Sequence, residues 1–312
     1  MEIERSVLLE IERIAPGRVH LREPMAKHTS FGLGGPADLF IEPGSSREFH
    51  DVLSLLAHAN IPSLVLGRGT NLLVRSGGID GAVVSTEHAL TEIRTTDGGV
   101  AVGAGVSLKR LLLFCAEVGL SGIEGLSGIP GSVGGGVVTN AGSFGDSIGA
   151  RLAAASIFEP GHRARRVPAE ELAIAYRKIG LPEGSVLEGV ELTLERSDAE
   201  AVAAKQQETL KRKWQCQPSG MRCAGCVFKN VPEAQAGRII DEAGLKGARV
   251  GGAVVSDLHA NFILNDRAAT ADDVEELIRL VRETVREKTG LELELEIQIV
   301  GRRGGGGNDA IN

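Results

Sequence analysis

The sequence predicts a mixed α+β protein, and three observations carry that expectation. Amphipathic helical segments and short apolar strands alternate along the chain. Glycine makes up 42 of 312 residues, which implies many tight loops between those segments. Near the end, residues 291–300 alternate strictly between apolar and polar side chains, as a half-buried strand does. With 42% hydrophobic and 24% charged residues, the composition is that of a globular protein of two or three compact units. A net charge of -7 without a basic cluster argues against nucleic acid as the main partner. At 3% aromatic residues there is no base-stacking platform. The first residues lack a signal-peptide core and no apolar run approaches a membrane span. Four cysteines (Cys115, Cys216, Cys223 and Cys226) suit a reducing cytoplasm better than a disulfide scaffold.

The elements follow in order. Ile3, Val7, Leu8 and Ile11 give a short amphipathic helix over 1–14. A Gly-rich turn at 27–38 leads to a strand at 39–41. Ser45 or Ser46 caps a helix to about Ala59 with Phe49, Val52, Leu53 and Leu56 on one face. Residues 63–67 form a strand that feeds a second Gly-rich turn, and 81–85 and 100–105 form further strands. Ser107 caps a helix to Val118. Later come a strand at 153–158, a helix at 169–174, a strand at 186–194 and a polar helix from 198 to 213. That helix stops before Pro218. A helix at 234–243, strands at 250–256 and 261–264, and a helix at 270–288 capped by Thr270 and Asp273 precede the final strand. The tail 302–312 is expected to be disordered.

The stretch 121–149 organises the chain. Gly122, Gly125, Gly128, Gly131, Gly134, Gly135 and Gly136 are too dense for a regular element, so the run implies positive φ angles or something approaching the backbone. A linker fits poorly, because Ile123, Leu126, Ile129, Val133, Val137 and Val138 demand burial. Pro130 fixes one φ, and the remaining amides are able to face an anion. A Rossmann fingerprint is not met: Gly67-Arg68-Gly69 and Gly103-Ala104-Gly105 each lack the third glycine, and no Walker lysine follows. A dinucleotide bound here would be held by several separate loops.

Four motifs, 29–38, 66–74, 129–135 and Asn140-Ala141-Gly142, resemble the UDP-N-acetylenolpyruvoylglucosamine reductase family. The resemblance continues through 224–230, 243–247, 251–253 and 259–262, so it runs in order over nearly the whole chain. It implies non-covalent FAD in a two-subdomain fold of the vanillyl-alcohol-oxidase type, followed by a C-terminal α+β substrate-binding domain. The implied boundaries are 1–84 and 85–198 for the flavin subdomains, with 291–301 completing the first, and 199–301 for the substrate domain. Tyr176-Arg177 lies close in sequence to Cys226, so the chain looks like the type without a long substrate-covering loop. The implied flavin-binding residues are Gly67, Arg68, Gly69, Thr70, Asn71 and Leu72, then Gly128, Ile129, Pro130, Gly131, Ser132, Gly134 and Gly135, and Asn140 and Gly142.

The implied reaction takes hydride from NADPH through FAD to the enolpyruvyl carbon of a UDP-sugar, followed by protonation. Arg177 matches the family arginine near the substrate carboxylate, and Glu296 matches the glutamate five residues before a glycine, here Gly301. Read by pattern alone, Glu296 would be one more solvated carboxylate. Cys226 stands where the family usually has a serine proton donor. A thiol with an unperturbed pKa of about 8.5 is protonated at neutral pH and can donate. The rival readings are a buried inert cysteine, a zinc ligand and a redox partner of Cys223. Zinc wants a second pair of ligands, which is absent, so no metal is expected. Tyr176, Lys229, Asn230 and His259 match substrate-side positions. Other departures are Val231 for proline, Phe144 for tyrosine and a missing serine after Arg177. Two other functions remain open: a flavin oxidase of another substrate, and a UDP-sugar sensor without chemistry.

Overall fold

In a computed structural model, residues 3–232 and 234–304 are described, and they are a mixture of helices and strands as expected. The chain divides into two compact units. One comprises Met1–Leu21, Leu39–Arg68 and Gly81–Lys213, the other Arg22–Asp38, Gly69–Asp80 and Trp214–Asn312. The contacts therefore group the turn at 22–38 and the segment 69–80 with the C-terminal part of the chain, a cut that differs from the sequence-derived boundaries.

The first unit is built on a five-stranded antiparallel sheet. Its strands lie in the order Arg165–Pro168, Leu152–Phe158, Val186–Thr193, Gly99–Gly103 and Ile93–Thr96. A parallel pair, Ser63–Leu66 with Ile79–Ser85, belongs to another sheet, with Leu64 opposite Val83. The helix Ser46–His58 begins where Ser45 Oγ accepts the Glu48 amide, and it buries Phe49, Val52, Leu53 and Leu56. Those side chains share one core with Leu108, Leu111 and Leu112 of the helix Leu108–Glu117, itself capped by Ser107. Burial of an aliphatic or aromatic side chain contributes about 1.5–3 kcal/mol, so this core anchors the loops that rise from it.

The second unit places the antiparallel strands Arg249–Val250, Ala253–Val255 and Ile263–Asn265 with the helix Ala271–Thr289. That helix opens on a reciprocal cap between Thr270 and Asp273 and ends at Gly290 with φ +74°. Its buried face, Val274, Leu277, Ile278, Val281 and Val285, follows the predicted periodicity and packs with Phe31, Leu73, Phe228 and Ile240.

Three expectations need correction. Residues 169–174 are not a helix; a single 3-10 turn, Ala169–Glu171, gives way to the strand Ala173–Ala175. That strand forms a hairpin with Lys178–Gly180, whose cross-strand hydrogen bonds outweigh the propensity of so short a helix. The alternating segment 291–300 is a strand only over Gln298–Val300, paired in parallel with Leu72–Val74. Before it the chain bends at Glu296, because the amides of Glu296 and Ile297 both point to the Val227 carbonyl. Of the predicted tail, Arg302 is tied by its Nε to the Gly77 carbonyl at 2.7 Å and pairs with Asp80, while 305–312 lie outside the described residues. The strands Val19–Pro24 and Ile93–Thr96, which carry Arg and Thr with few apolar residues, had no clear signal in the sequence.

Candidate active-site residues in two units

In the second unit, Cys226 sits in a short extended segment flanked on both sides. On one side Cys226 is bridged to Phe262, and the Val227 amide donates to the Asn261 carbonyl at 2.8 Å. On the other side Phe228 is bridged to Leu295, and the Glu296 amide donates to the Val227 carbonyl at 2.8 Å. Cys226 and Glu296 are thus carried by neighbouring backbones one residue out of step. Backbone pairing, rather than any regular strand, sets the Cys226 and Glu296 backbones side by side.

Asn261 fastens this arrangement. It is 3% exposed, its Nδ2 donates to the Phe228 carbonyl at 2.8 Å, and its Oδ1 accepts the Phe228 amide at 2.9 Å. Such a buried amide is costly unless paired, and here both ends are paired. Asn71, a predicted cofactor residue, donates through Nδ2 to the Glu296 carbonyl at 3.0 Å, and its own carbonyl accepts the Gln298 amide. Both asparagines position the catalytic candidates. Sequence reading singled out only Asn71, because nothing in spacing distinguishes a clamping amide from a loop residue.

Other predicted residues lie nearby in the chain pairing. Lys229 Nζ meets Glu294 Oε2 at 3.1 Å, and its amide donates to the Glu294 carbonyl. Asn230 is exposed and its Oδ1 accepts the Ala236 amide at 3.0 Å, holding the start of the helix Ala236–Glu242. His259 packs its ring edge-on to Phe262, with centroids 5.0 Å apart, and its Nδ1 stands 3.3 Å from the Asn261 amide. Burial is the main effect on this imidazole and pushes its pKa below the usual value, so it is neutral at pH 7. Gly69 closes tightly on the turn 27–32: a Cβ there would meet the His28 carbonyl oxygen at 2.0 Å.

In the first unit, Tyr176 and Arg177 are the two loop residues of the hairpin Ala173–Ala175/Lys178–Gly180. Arg177 holds φ +56°, a region that glycine or asparagine usually occupies in such turns. Its Nη1 donates to the Gly142 carbonyl at 3.0 Å, and its guanidinium lies 5.3 Å from the Tyr176 ring. Asn140 ties the hairpin to the Gly-rich loop: Nδ2 donates to the Ala175 carbonyl at 2.8 Å, and Oδ1 accepts the Gly149 amide at 3.0 Å. The structure therefore groups Asn140, Gly142, Tyr176 and Arg177.

The Gly-rich loop fits a bound flavin cofactor by three observations. Gly128 and Gly131 hold φ +76° and +128°, and among the described residues their amides donate no hydrogen bond. The Ser127 hydroxyl is buried and has no partner among the described residues. Ser132 caps the helix Val133–Val138 through the Gly135 amide, and a Cβ on Gly67 would lie 2.2 Å from its Oγ. Only glycine lets the two turns close, so Gly67 is fixed by shape. Glu124 braces the start of the loop. It is 1% exposed; burial pushes its pKa up, but the Ser121 hydroxyl, the Gly122 amide and Lys205 more than offset this and hold it below the usual range. Lys213, 4% exposed, packs its stem by Gly128 and lies 5.9 Å from the Phe144 ring. In the sequence it reads as the end of a polar helix, and only the packing marks it.

Comparison with known proteins joins these observations to a family. Residues 37–153 match an FAD-binding domain family, and residues 217–300 match the C-terminal domain of UDP-N-acetylenolpyruvoylglucosamine reductase. The chain is similar to the reductase of that name from Syntrophotalea carbinolica, with 39% identity covering 91% of this chain and 95% of the relative. It is also similar to that from Nitrosococcus oceani, with 43% identity covering 89% and 93%. The crystal structure of the reductase from Thermus caldophilus superposes with a TM-score of 0.76 at 37% identity, covering 90% of this chain and 97% of that one. The chain belongs to the UDP-N-acetylenolpyruvoylglucosamine reductase family.

Proposed function

We propose that this protein is an FAD-dependent oxidoreductase that uses NADPH to reduce UDP-N-acetylglucosamine enolpyruvate to UDP-N-acetylmuramate, a step in peptidoglycan precursor synthesis. The observation that carries the reading is the pairing that holds Cys226 beside the backbone of Glu296. The loop around Gly128, Gly131 and Ser132 would hold FAD, which would supply a hydride relay between NADPH and the enolpyruvyl group.

The chain must manage the negative charge left beside the carboxylate and deliver a proton. Cys226 Sγ–H is assigned the proton transfer to the carbon, in place of the usual serine hydroxyl. Glu296 is assigned to stabilise and orient at that centre. The Arg177 guanidinium, aimed by its hairpin, pairs with the substrate carboxylate. Tyr176, Lys229, Asn230 and His259 bind and orient the UDP-sugar; Lys229 offers a cation to the diphosphate, and neutral His259 offers a hydrogen bond without adding charge. Among the described residues no helix is long and apolar enough to cross a membrane. A cytoplasmic location is part of the proposal.

The test is anaerobic and has two steps. Purified flavoprotein is reduced with NADPH, then mixed with UDP-N-acetylglucosamine enolpyruvate while flavin absorbance is followed. Rapid return of oxidised flavin is expected. Reduction without return would reject the substrate, and rapid reoxidation by oxygen alone would favour an oxidase. Protein that binds the UDP-sugar but holds no flavin would favour a sensor.

A further inference from the structure

We propose that Cys223 and Cys226 form a reversible disulfide that shuts off the substrate half-reaction, an inference that rests on the proton-donor role given to Cys226. Neither cysteine is in a disulfide in the structure, and the backbone between them carries a one-residue irregularity. The Asn265 amide donates to the Arg222 carbonyl at 2.9 Å, whereas Cys226 is bridged to Phe262. From 222 to 226 is four steps, yet from 265 to 262 is three, so the cysteine-bearing segment carries one extra residue. Gly225, with φ +77°, supplies the left-handed conformation that such bulges use.

The bulge decides which way the thiols face. In a regular strand, residues three apart point to opposite faces. One inserted residue reverses that parity, and both cysteines turn to the same side. Both cysteines touch the apolar cluster of Val254, Phe262 and Leu264, and Cys223 also reaches the larger core of this unit. Val254 and Leu264 are cross-strand partners, and Phe262 is two residues along from Leu264. Cys223 falls opposite Leu264 and Cys226 opposite Phe262, a separation of about 6.6 Å at strand rise. A disulfide spans Cα atoms up to about 6.8 Å apart.

The Gly225 amide, within the bulge, donates to the Cys223 sulfur. A Cβ on Gly225 would meet nothing within 4 Å, so the turn has room to tighten. At its other end Ser30 Oγ donates to the Cys223 carbonyl at 2.6 Å and holds the segment in place.

A low-molecular-weight disulfide is the oxidant. One cysteine thiolate attacks it, forms a mixed disulfide and releases one small thiol. The second cysteine attacks the protein sulfur of that mixed disulfide and releases the other. Two protein thiols become one disulfide, the reagent is reduced to two thiols, and the cysteine protons pass through solvent to the leaving thiolates. Cys226 then has no proton to give.

The experiment exposes flavin-loaded protein to oxidised glutathione, maps the alkylated peptides by mass, and measures both half-reactions anaerobically. The expected result is a 223–226 link that has lost two hydrogen masses. Flavin reduction by NADPH should persist, the substrate half-reaction should slow by about 10² or more, and dithiothreitol should restore it. Cys223→Ser, and separately Cys223→Ala, should keep the reduced-state rate and resist the oxidant. Glutathione found only as mixed disulfides, at Cys216 for example, would overturn the proposal, as would variants that lose activity like the wild type. A link that forms while the half-reaction continues would overturn the shut-off together with the donor role of Cys226. Mass and rate thereby separate a failed disulfide from a failed reading of the site.

Discussion

The segment carrying Cys226 and Glu296 and the hairpin carrying Arg177 solve the same problem by different means. Around Cys226 the chain is held from both sides by backbone pairing, with the buried Asn261 amide clamping Phe228. No unusual backbone angle is needed at Cys226 or Glu296. Around Arg177 the support is a tight turn with a positive φ at a residue that carries a Cβ, tied by Asn140 and by the arginine's own bond to Gly142. A left-handed conformation at such a residue costs about 1–2 kcal/mol, which the surrounding bonds must offset. Cys226 is therefore placed by its neighbours' backbones, and Arg177 is placed partly by its own contacts. Changing the first side chain should leave the fold alone, whereas changing the supports of the second should not.

The largest expected effect tests the first half of that contrast. Cys226→Ala should slow flavin reoxidation by substrate by about 10²–10⁴ while NADPH reduction and the melting temperature stay near wild type. Equal slowing of both half-reactions would show that Cys226 shapes the flavin environment instead. Glu296→Gln should give the same pattern, and an unchanged substrate step would remove it from the chemistry.

An intermediate effect is expected from Asn140→Ala. It strands the Ala175 carbonyl and the Gly149 amide, a loss of about 1–3 kcal/mol, and it frees the Arg177 hairpin. Thermal unfolding and kcat/KM should both fall. A loss of stability with unchanged kcat/KM would mean that the hairpin does not touch substrate.

The smallest effect concerns pH. The folded pKa of His259 lies below its unfolded value, chiefly because burial disfavours the cation. At pH 7 and above the group is neutral in both states and contributes nothing to pH dependence. As pH falls below about 6.5 the unfolded chain takes up the proton first, so stability declines until the folded pKa is passed. His259→Gln should flatten the decline measured by denaturant unfolding between pH 7 and 5, and an unaltered slope would show that the ring is not desolvated.

Sequence periodicity was a good guide where local pattern and packing agree. The helices Ser46–His58 and Ala271–Thr289 bury the side chains that 3.6-residue spacing marks, and both begin at the capping residues read from the sequence. It failed at 169–174 and 291–297, where long-range hydrogen bonds overrode an apolar rhythm. The density of glycine in 121–149 signalled a loop meant for close approach, and Gly67 beside Ser132 shows that approach.

The candidate groups were named from short motifs that resemble a family, since periodicity alone left Glu296 as one more solvated carboxylate. Cys226, Arg177 and Glu296 could be named as candidates, but Cys226 and Glu296 are 70 positions apart in the sequence. Their neighbouring backbones, the Asn261 clamp and the bulge that turns Cys223 to the same face as Cys226 depend on register between distant segments. Register is fixed by which side chains can be buried together, and that is a property of the folded core rather than of any local stretch.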